Sequence, residues 1–201
     1  MKAHRKARNV LTALPKVKSG WTIACQAFHA MPGCESEMKE YQYPREDFFT
    51  EAAAGDDFVG VQAYLRTFIG QDGPVPVADE VERTLTGWEY FPPALGIAVR
   101  HTWEVARQTP IFVTENGLAS TNDSRRIDYT FDALAGLHSA MEEGIDVLGY
   151  LHWSLLDNYE WGSFTPTFGL VGWDKNTFER LPKPSLEWLG EISKKGVVSH
   201  P

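Results

Sequence analysis

An α/β architecture, with parallel strands covered by helices, is what this sequence predicts. Three observations carry it. Segments with helical spacing of apolar residues alternate with short β-prone runs. The runs, such as Ile111-Phe112-Val113, are apolar without a break, as buried strands are. The order reads helix, strand, helix, strand, loop, helix, strand, helix, strand, loop, helix, which implies parallel pairing with helices outside. An open doubly wound sheet and part of a barrel both satisfy that order. No Gly-x-Gly-x-x-Gly or P-loop motif follows a strand, so phosphate-binding versions lose support.

The elements follow in order. Met1 to Lys18 holds Lys2, Arg5, Lys6, Arg8, Lys16 and Lys18 and no acid. Its apolar stretch, Val10 to Leu14, is shorter than the about 7–15 residues a secretory signal needs. An acid-poor organelle transit peptide is one remaining reading. The preferred one is a solvated basic helix, His4 to Leu14, with Val10, Leu11 and Leu14 inward. Trp21 to Ala24 is a β-prone run after the turn signal Ser19-Gly20. Pro32 to about Asp57 is polar and acid-rich, with a helical middle from Phe48 to Ala54. Asp57 to Tyr64 predicts a second strand.

Gly70 to Pro93 is a long irregular segment, and long loops in compact domains are usually functional or mobile. Ala94 to Gln108 predicts a helix with Leu95, Ala98, Val99, Trp103 and Val105 available for burial. Pro110 to Thr114 predicts a strand that stops at Glu115-Asn116-Gly117. Ile127, Phe131, Leu134, Leu137 and Met141 mark an amphipathic helix over 127–143, closed by Gly144. Asp146 to Trp153 is a further strand. Pro184 to Lys194 is a last helix, with Leu186, Leu189 and Ile192 on one side.

Composition narrows the classes. The 201 residues are 43% hydrophobic and 23% charged, with a net charge of -8, an ordinary globular balance. Disorder is excluded as the main state. No apolar run is long enough to span a bilayer. The acidic balance argues against nucleic acid as a partner. The length suits one domain, residues 1–201. Cys25 and Cys34 lack zinc or redox spacing, so reduced thiols in the cytoplasm are expected. His29, His101, His138 and His152 show no ligand spacing, and no metal or other cofactor is expected.

In parallel α/β folds function gathers at the C-terminal strand ends. Three such ends stand out: Gln62 and Tyr64, Glu115, and the run Trp153 to Trp161. A carboxylate closing an apolar strand is costly to desolvate unless paired or used. Glu115 therefore reads either as a salt-bridged strand end or as a nucleophile able to attack an anomeric carbon. Trp153 and Trp161 flank Glu160: indole faces suit the C–H faces of sugars, and a carboxylate accepts hydrogen bonds from a vicinal diol. Plain core packing is the alternative for both indoles. Tyr64 is able to donate its phenolic hydrogen to a nearby carboxylate, or simply to pack.

Together these motifs resemble a known family. Thr114-Glu115-Asn116-Gly117 resembles the nucleophile signature of glycoside hydrolase family 1, the β-glucosidase family. Tyr150 to Trp161 is similar to that family's last barrel strand and sugar-binding loop, and Phe168-Gly169-Leu170-Val171 to the segment that follows. Thr86-Gly87-Trp88-Glu89 with Pro92, and Lys183-Pro184-Ser185, also fit. The match is strong over 57–192 and weaker over 1–56. The resemblance implies a (β/α)₈ barrel that hydrolyses β-glycosides with retention, with Glu115 as nucleophile and Tyr64 hydrogen-bonded to it. It implies Gln62 in place of the family's usual Asn, Trp153, Glu160 and Trp161 lining the sugar subsite, and Phe168 closing it.

One part of the pattern is missing. The family's general acid/base sits in a Thr-x-Asn-Glu-Pro motif after the fourth strand, and this sequence has none. The Arg, His and Asn of earlier strands are missing too. The chain thus resembles only the C-terminal half of the barrel, strands five to eight; a complete one takes about 250 residues. Open sheet edges at the two seams are expected to pair with other chains. The expected partners are therefore a β-glycoside or small saccharide, and a separate first half or a second copy. A truncated, inactive product, and a non-catalytic carbohydrate-binding or regulatory half barrel, are the alternatives.

Overall fold

The computed structural model describes residues 1–200. In chain order its elements are α1 (Lys2–Leu11), β1 (Gly20–Ala30), α2 (Glu35–Gln42), α3 (Asp47–Ala53), β2 (Phe58–Gly70), β3 (Gly73–Val75), α4 (Ala94–Val105), β4 (Ile111–Asn116), α5 (Asp123–Glu142), β5 (Val147–His152), β6 (Val171–Trp173), β7 (Arg180–Pro182) and α6 (Pro184–Lys195). Strands β1, β2, β4 and β5 lie side by side in that order, every pair parallel. Each step between them is made through helix, as the alternation predicts. β3 folds back antiparallel onto the end of β2, and β6 and β7 form a separate small hairpin.

One face of the sheet carries the core. In β2, Val59, Val61 and Ala63 alternate onto that face and are fully buried. Ile111 and Val113 of β4 join them, under Leu95, Ala98 and Val99 of α4 and Tyr129, Ala133, Leu134 and Leu137 of α5. Burying each large aliphatic contributes about 1.5–3 kcal/mol, so this layer dominates stability. The α4–α5 crossing is close because glycines meet there: a Cβ on Gly96 would lie 2.9 Å from the Gly136 carbonyl oxygen.

The opposite face is that of a barrel interior. Gly60 leaves room for Thr22 and Thr114, on the flanking strands, to hydrogen-bond over it at 2.5 Å. Thr22 and Ala24 are exposed on this side. Leu148 and Leu151 of β5 are also about half exposed, at 53% and 51%.

Several expectations are corrected. α1 forms, but Val10, Leu11 and Leu14 point outward, 70%, 40% and 53% exposed. Polar contacts dock this helix instead: His4 pairs with Asp56 at 2.6 Å and stacks on Trp21, and Arg8 reaches Asp57 at 3.0 Å. Met141 is 47% exposed, while Ala140 beside it in the last turn of α5 is the residue buried in the core. α5 starts four residues before Ile127, where Asn122 accepts the Ser124 N–H as a cap. β2 runs on to Gly70, since β1 and β3 continue to pair with it beyond Tyr64. Helix α2 and the β6–β7 hairpin were not expected.

Candidate active site

A one-residue bulge builds the centre of the site. β2 and β4 pair Val61 with Val113, then Gln62 with Glu115, so Thr114 is an extra residue in β4. Without it, strict alternation would turn Glu115 to the same side as Val113, into the helix-covered core. The bulge reverses that parity. Glu115 then shares a face with Gln62 and Tyr64, and the following Asn116 is fully buried instead.

Both carboxylate oxygens of Glu115 are held. The Tyr64 hydroxyl donates to Oε2 at 2.6 Å, and the Gln62 amide donates to Oε1. Burial, and then the Glu115 carboxylate, push the Tyr64 phenol far above its ordinary pKa, so it remains a donor. Behind this pair lies a buried network. Asn116 donates to the Ala63 carbonyl at 2.7 Å and accepts from Tyr150 at 3.0 Å. The Tyr129 hydroxyl donates to the Tyr64 carbonyl at 2.9 Å. These bonds tie β2, β4 and β5 together at the level of Glu115.

After β5 the chain enters a long loop. The Trp153 indole N–H donates to Glu160 Oε1 at 3.0 Å, orienting that carboxylate. Glu160 and Ser163 exchange backbone hydrogen bonds of 2.8 and 3.1 Å across a two-residue turn. Trp161 and Gly162 both take positive φ, 45° and 114°, as such a turn demands. Trp161 therefore stands at the tip, fully exposed, and borders the site at its mouth. Phe168 is 3% exposed and meets Tyr64 edge-on at 5.8 Å.

All seven residues singled out from sequence border one cavity of about 700 Å³. Its lining includes two carboxylates, Glu115 and Glu160, and no Lys or Arg. Trp88 belongs to this cavity and was missed as a site residue. It packs against Tyr64 at 5.7 Å and Phe168 at 6.4 Å. Its loop is anchored because Arg66 of β2 holds the buried Glu89 in a two-pronged ion pair, with Nε at 2.8 Å, and lies over the Phe91 ring. An acid and an aromatic beside the Thr86-Gly87 turn were the available signal. The arrangement can present an anionic oxygen to a bound ligand, accept hydrogen bonds from hydroxyls, and cover apolar faces with rings.

Sequential parallel strands with helices on the outer face define half of a (β/α)₈ barrel, with its polar cavity at the C-terminal strand ends. The chain belongs to glycosyl hydrolase family 1, whose sequence profile matches residues 36–197. It is 40% identical to a β-galactosidase of Saccharolobus solfataricus over 99% of this chain and 48% of that protein. It is 29% identical to a β-galactosidase of Sulfolobus acidocaldarius over 98% of this chain and 47% of that one. Among solved structures it superposes on β-glycosidase BGL167 with a TM-score of 0.91 and 39% identity, covering 99% of this chain and 48% of that one. The chain thus spans about half the length of the relatives it matches.

Proposed function

We propose that this chain is the nucleophile-bearing half of a retaining β-glycosidase. The observation that carries the reading is a single cavity in which the Glu115 carboxylate is fixed at both oxygens, facing Glu160 and aromatic rings. In this reading Glu115 attacks the anomeric carbon and forms a glycosyl ester as the leaving oxygen departs. Gln62 and Tyr64 aim the carboxylate. Glu160, steadied by Trp153, accepts hydrogen bonds from sugar hydroxyls, while Trp153, Trp161 and Phe168 cover the ring. The uncompensated negative charge of the cavity suits an oxocarbenium-like transition state.

Retaining hydrolysis needs a second carboxyl group about 5–5.5 Å from the first, to protonate the leaving group and then activate water. The Thr-x-Asn-Glu-Pro motif that would supply it does not occur in these residues. Losing general acid/base assistance costs about 10²–10⁴-fold. The first step escapes that loss when the leaving group needs no proton. A 2-deoxy-2-fluoro β-glucoside with a dinitrophenolate leaving group is therefore expected to label Glu115 covalently. Mass spectrometry of the digested chain locates the added sugar, and Glu115→Gln abolishes it. An unlabelled Glu115, in a chain shown by circular dichroism to be folded, would overturn the reading.

A non-catalytic saccharide-binding half barrel is the second reading. The prearranged Trp153–Glu160 pair favours it, because that pair needs no acid/base to hold a sugar. Gluconolactam binding without any labelling of Glu115 selects it. The reading takes residues 1–201 as one domain, since α2, α3 and α4 pack on one sheet, α5 packs on α4, and α6 packs on α5. The two free thiols, Cys25 and Cys34, favour the cytoplasm. Among the described residues no helix is long and apolar enough to cross a membrane.

A further inference from the structure

A second cavity, about 880 Å³, opens beside β1 and is lined by residues that include Gln26, Gln42, Asp47, Ile97 and His101. It shares no residue with the cavity around Glu115. Against its wall stands Glu46, only 1% exposed. The Gln26 N–H donates to Glu46 Oε2 at 3.1 Å, but among the described residues Oε1 has no hydrogen-bond partner. A buried carboxylate oxygen without a partner is costly and calls for an explanation.

His101, from α4, faces the same point. Its Nε2 lies 2.7 Å from Asp47 Oδ1 and 2.8 Å from the Gln42 amide nitrogen. Those contacts make opposite demands: a protonated Nε2 suits the carboxylate, and a bare one suits the amide N–H. Turning the Gln42 amide would instead offer its oxygen at this point. One ligand atom from each of Glu46, Asp47 and His101 lies within 4.8 Å of the other two.

We propose that Glu46, Asp47 and His101 form a site for one divalent transition-metal ion of the zinc class. The donor set is one imidazole and two carboxylates, which suits Zn²⁺ or Co²⁺ better than the all-oxygen shells of Ca²⁺ and Mg²⁺. Bonds of about 2.1 Å in tetrahedral array place ligand atoms roughly 3.4 Å apart, so the 2.7 Å His101–Asp47 pair would open slightly around the ion while the wider spacings within the 4.8 Å cluster close. The ion would neutralise both acids and give Glu46 Oε1 its partner. Asp47 and His101 line the cavity, which gives an ion access to them. The sequence reading excluded His101 as a ligand because no motif spacing marks it; the three residues converge only when α3 packs against α4.

The test is a titration of the chelator-treated full chain with Co²⁺, then Zn²⁺. One equivalent of Co²⁺ is expected to bind with visible d–d absorption and to be displaced by Zn²⁺. Zn²⁺ also raises the thermal midpoint, since it binds the folded state. His101→Ala and Glu46→Gln are each expected to weaken binding by about tenfold or more, the least seen even for outer-shell partners. His138→Ala, at an exposed position of α5, leaves it unchanged. The proposal fails if the wild-type chain, which needs no variant to fold, shows no saturable binding. It fails equally if both variants bind as well as wild type.

Discussion

A single side chain sets the chemistry proposed here, and its neighbours set its aim. The Tyr64 hydroxyl donates to Glu115 at 2.6 Å, a hydrogen bond to a charged acceptor. Such bonds are worth about 1.5–3 kcal/mol. Tyr64→Phe keeps the ring and its edge-on contact with Phe168 while deleting that bond. The covalent labelling of Glu115 is then expected to slow by roughly tenfold to a hundredfold. The comparison is of labelling rates at saturating reagent, so that a weakened sugar affinity is not mistaken for a misaimed carboxylate. Unchanged rates would make Tyr64 a packing residue, the plainer role that its position in a strand also allows. Gln62, carrying one methylene more than the Asn usual in the family, still reaches the other oxygen of the carboxylate.

At the scale of elements, periodicity and turn chemistry made the strands and helices of the sheet legible, and local irregularities hid the rest. Val59, Val61 and Ala63 alternate cleanly, and their strand was readable. The bulge at Thr114 was not, because an extra residue in one strand leaves no mark in composition. Without it the orientation of Glu115 would be wrong even though its identity was right. The outward turn of Trp161 was hidden for a similar reason: positive φ at a tryptophan is set by the Glu160–Ser163 pairing and not by its own preference. Helix α1 misled because Val10, Leu11 and Leu14 invite burial, while the hydrogen bond of His4 to Asp56 and the ion pair of Arg8 with Asp57 decide its docking. One glycine holds two strand ends together. A Cβ on Gly117 would lie 1.9 Å from the Trp153 carbonyl oxygen, a backbone atom that cannot swing aside. Gly117→Ala must therefore part β4 from the start of the Trp153 loop. It is expected to lower stability by about 1–3 kcal/mol, as overpacking does. Denaturant unfolding measures that change, and the same variant is expected to bind gluconolactam more weakly because Glu115 and Trp153 separate. A variant as stable as the parent would mean that the two segments shift apart freely.

The whole molecule is a sheet with two open edges. Among the described residues β1 pairs only with β2, and β5 only with β4. The sheet's interior face shows exposed Thr22 and Ala24, and β5 exposes Leu148 and Leu151. Two kinds of partner fit. A second copy, joined edge to edge, would place β5 of one chain beside β1 of the other with all eight strands parallel. Each Glu115 would then stand on the third strand of its own half, four strands from its twin and diametrically across the barrel. That separation exceeds the about 5–5.5 Å that retaining hydrolysis requires. A chain bearing the first four strands, with a Glu in the Thr-x-Asn-Glu-Pro setting, would supply the missing carboxyl on the facing wall. The two partners therefore give different outcomes. Alone, the chain is expected to self-associate with rising concentration in sedimentation, without hydrolysing an aryl β-glucoside. Co-expressed with a family 1 segment for strands one to four, it is expected to gain hydrolysis that disappears with Glu115→Gln in this chain, or with removal of the acid in the other. A monomer at all concentrations would show that the edges are blunted within the chain itself. Hydrolysis by the self-associated form would show that the second carboxyl comes from the 201 residues after all, and the site would have to be redrawn around it.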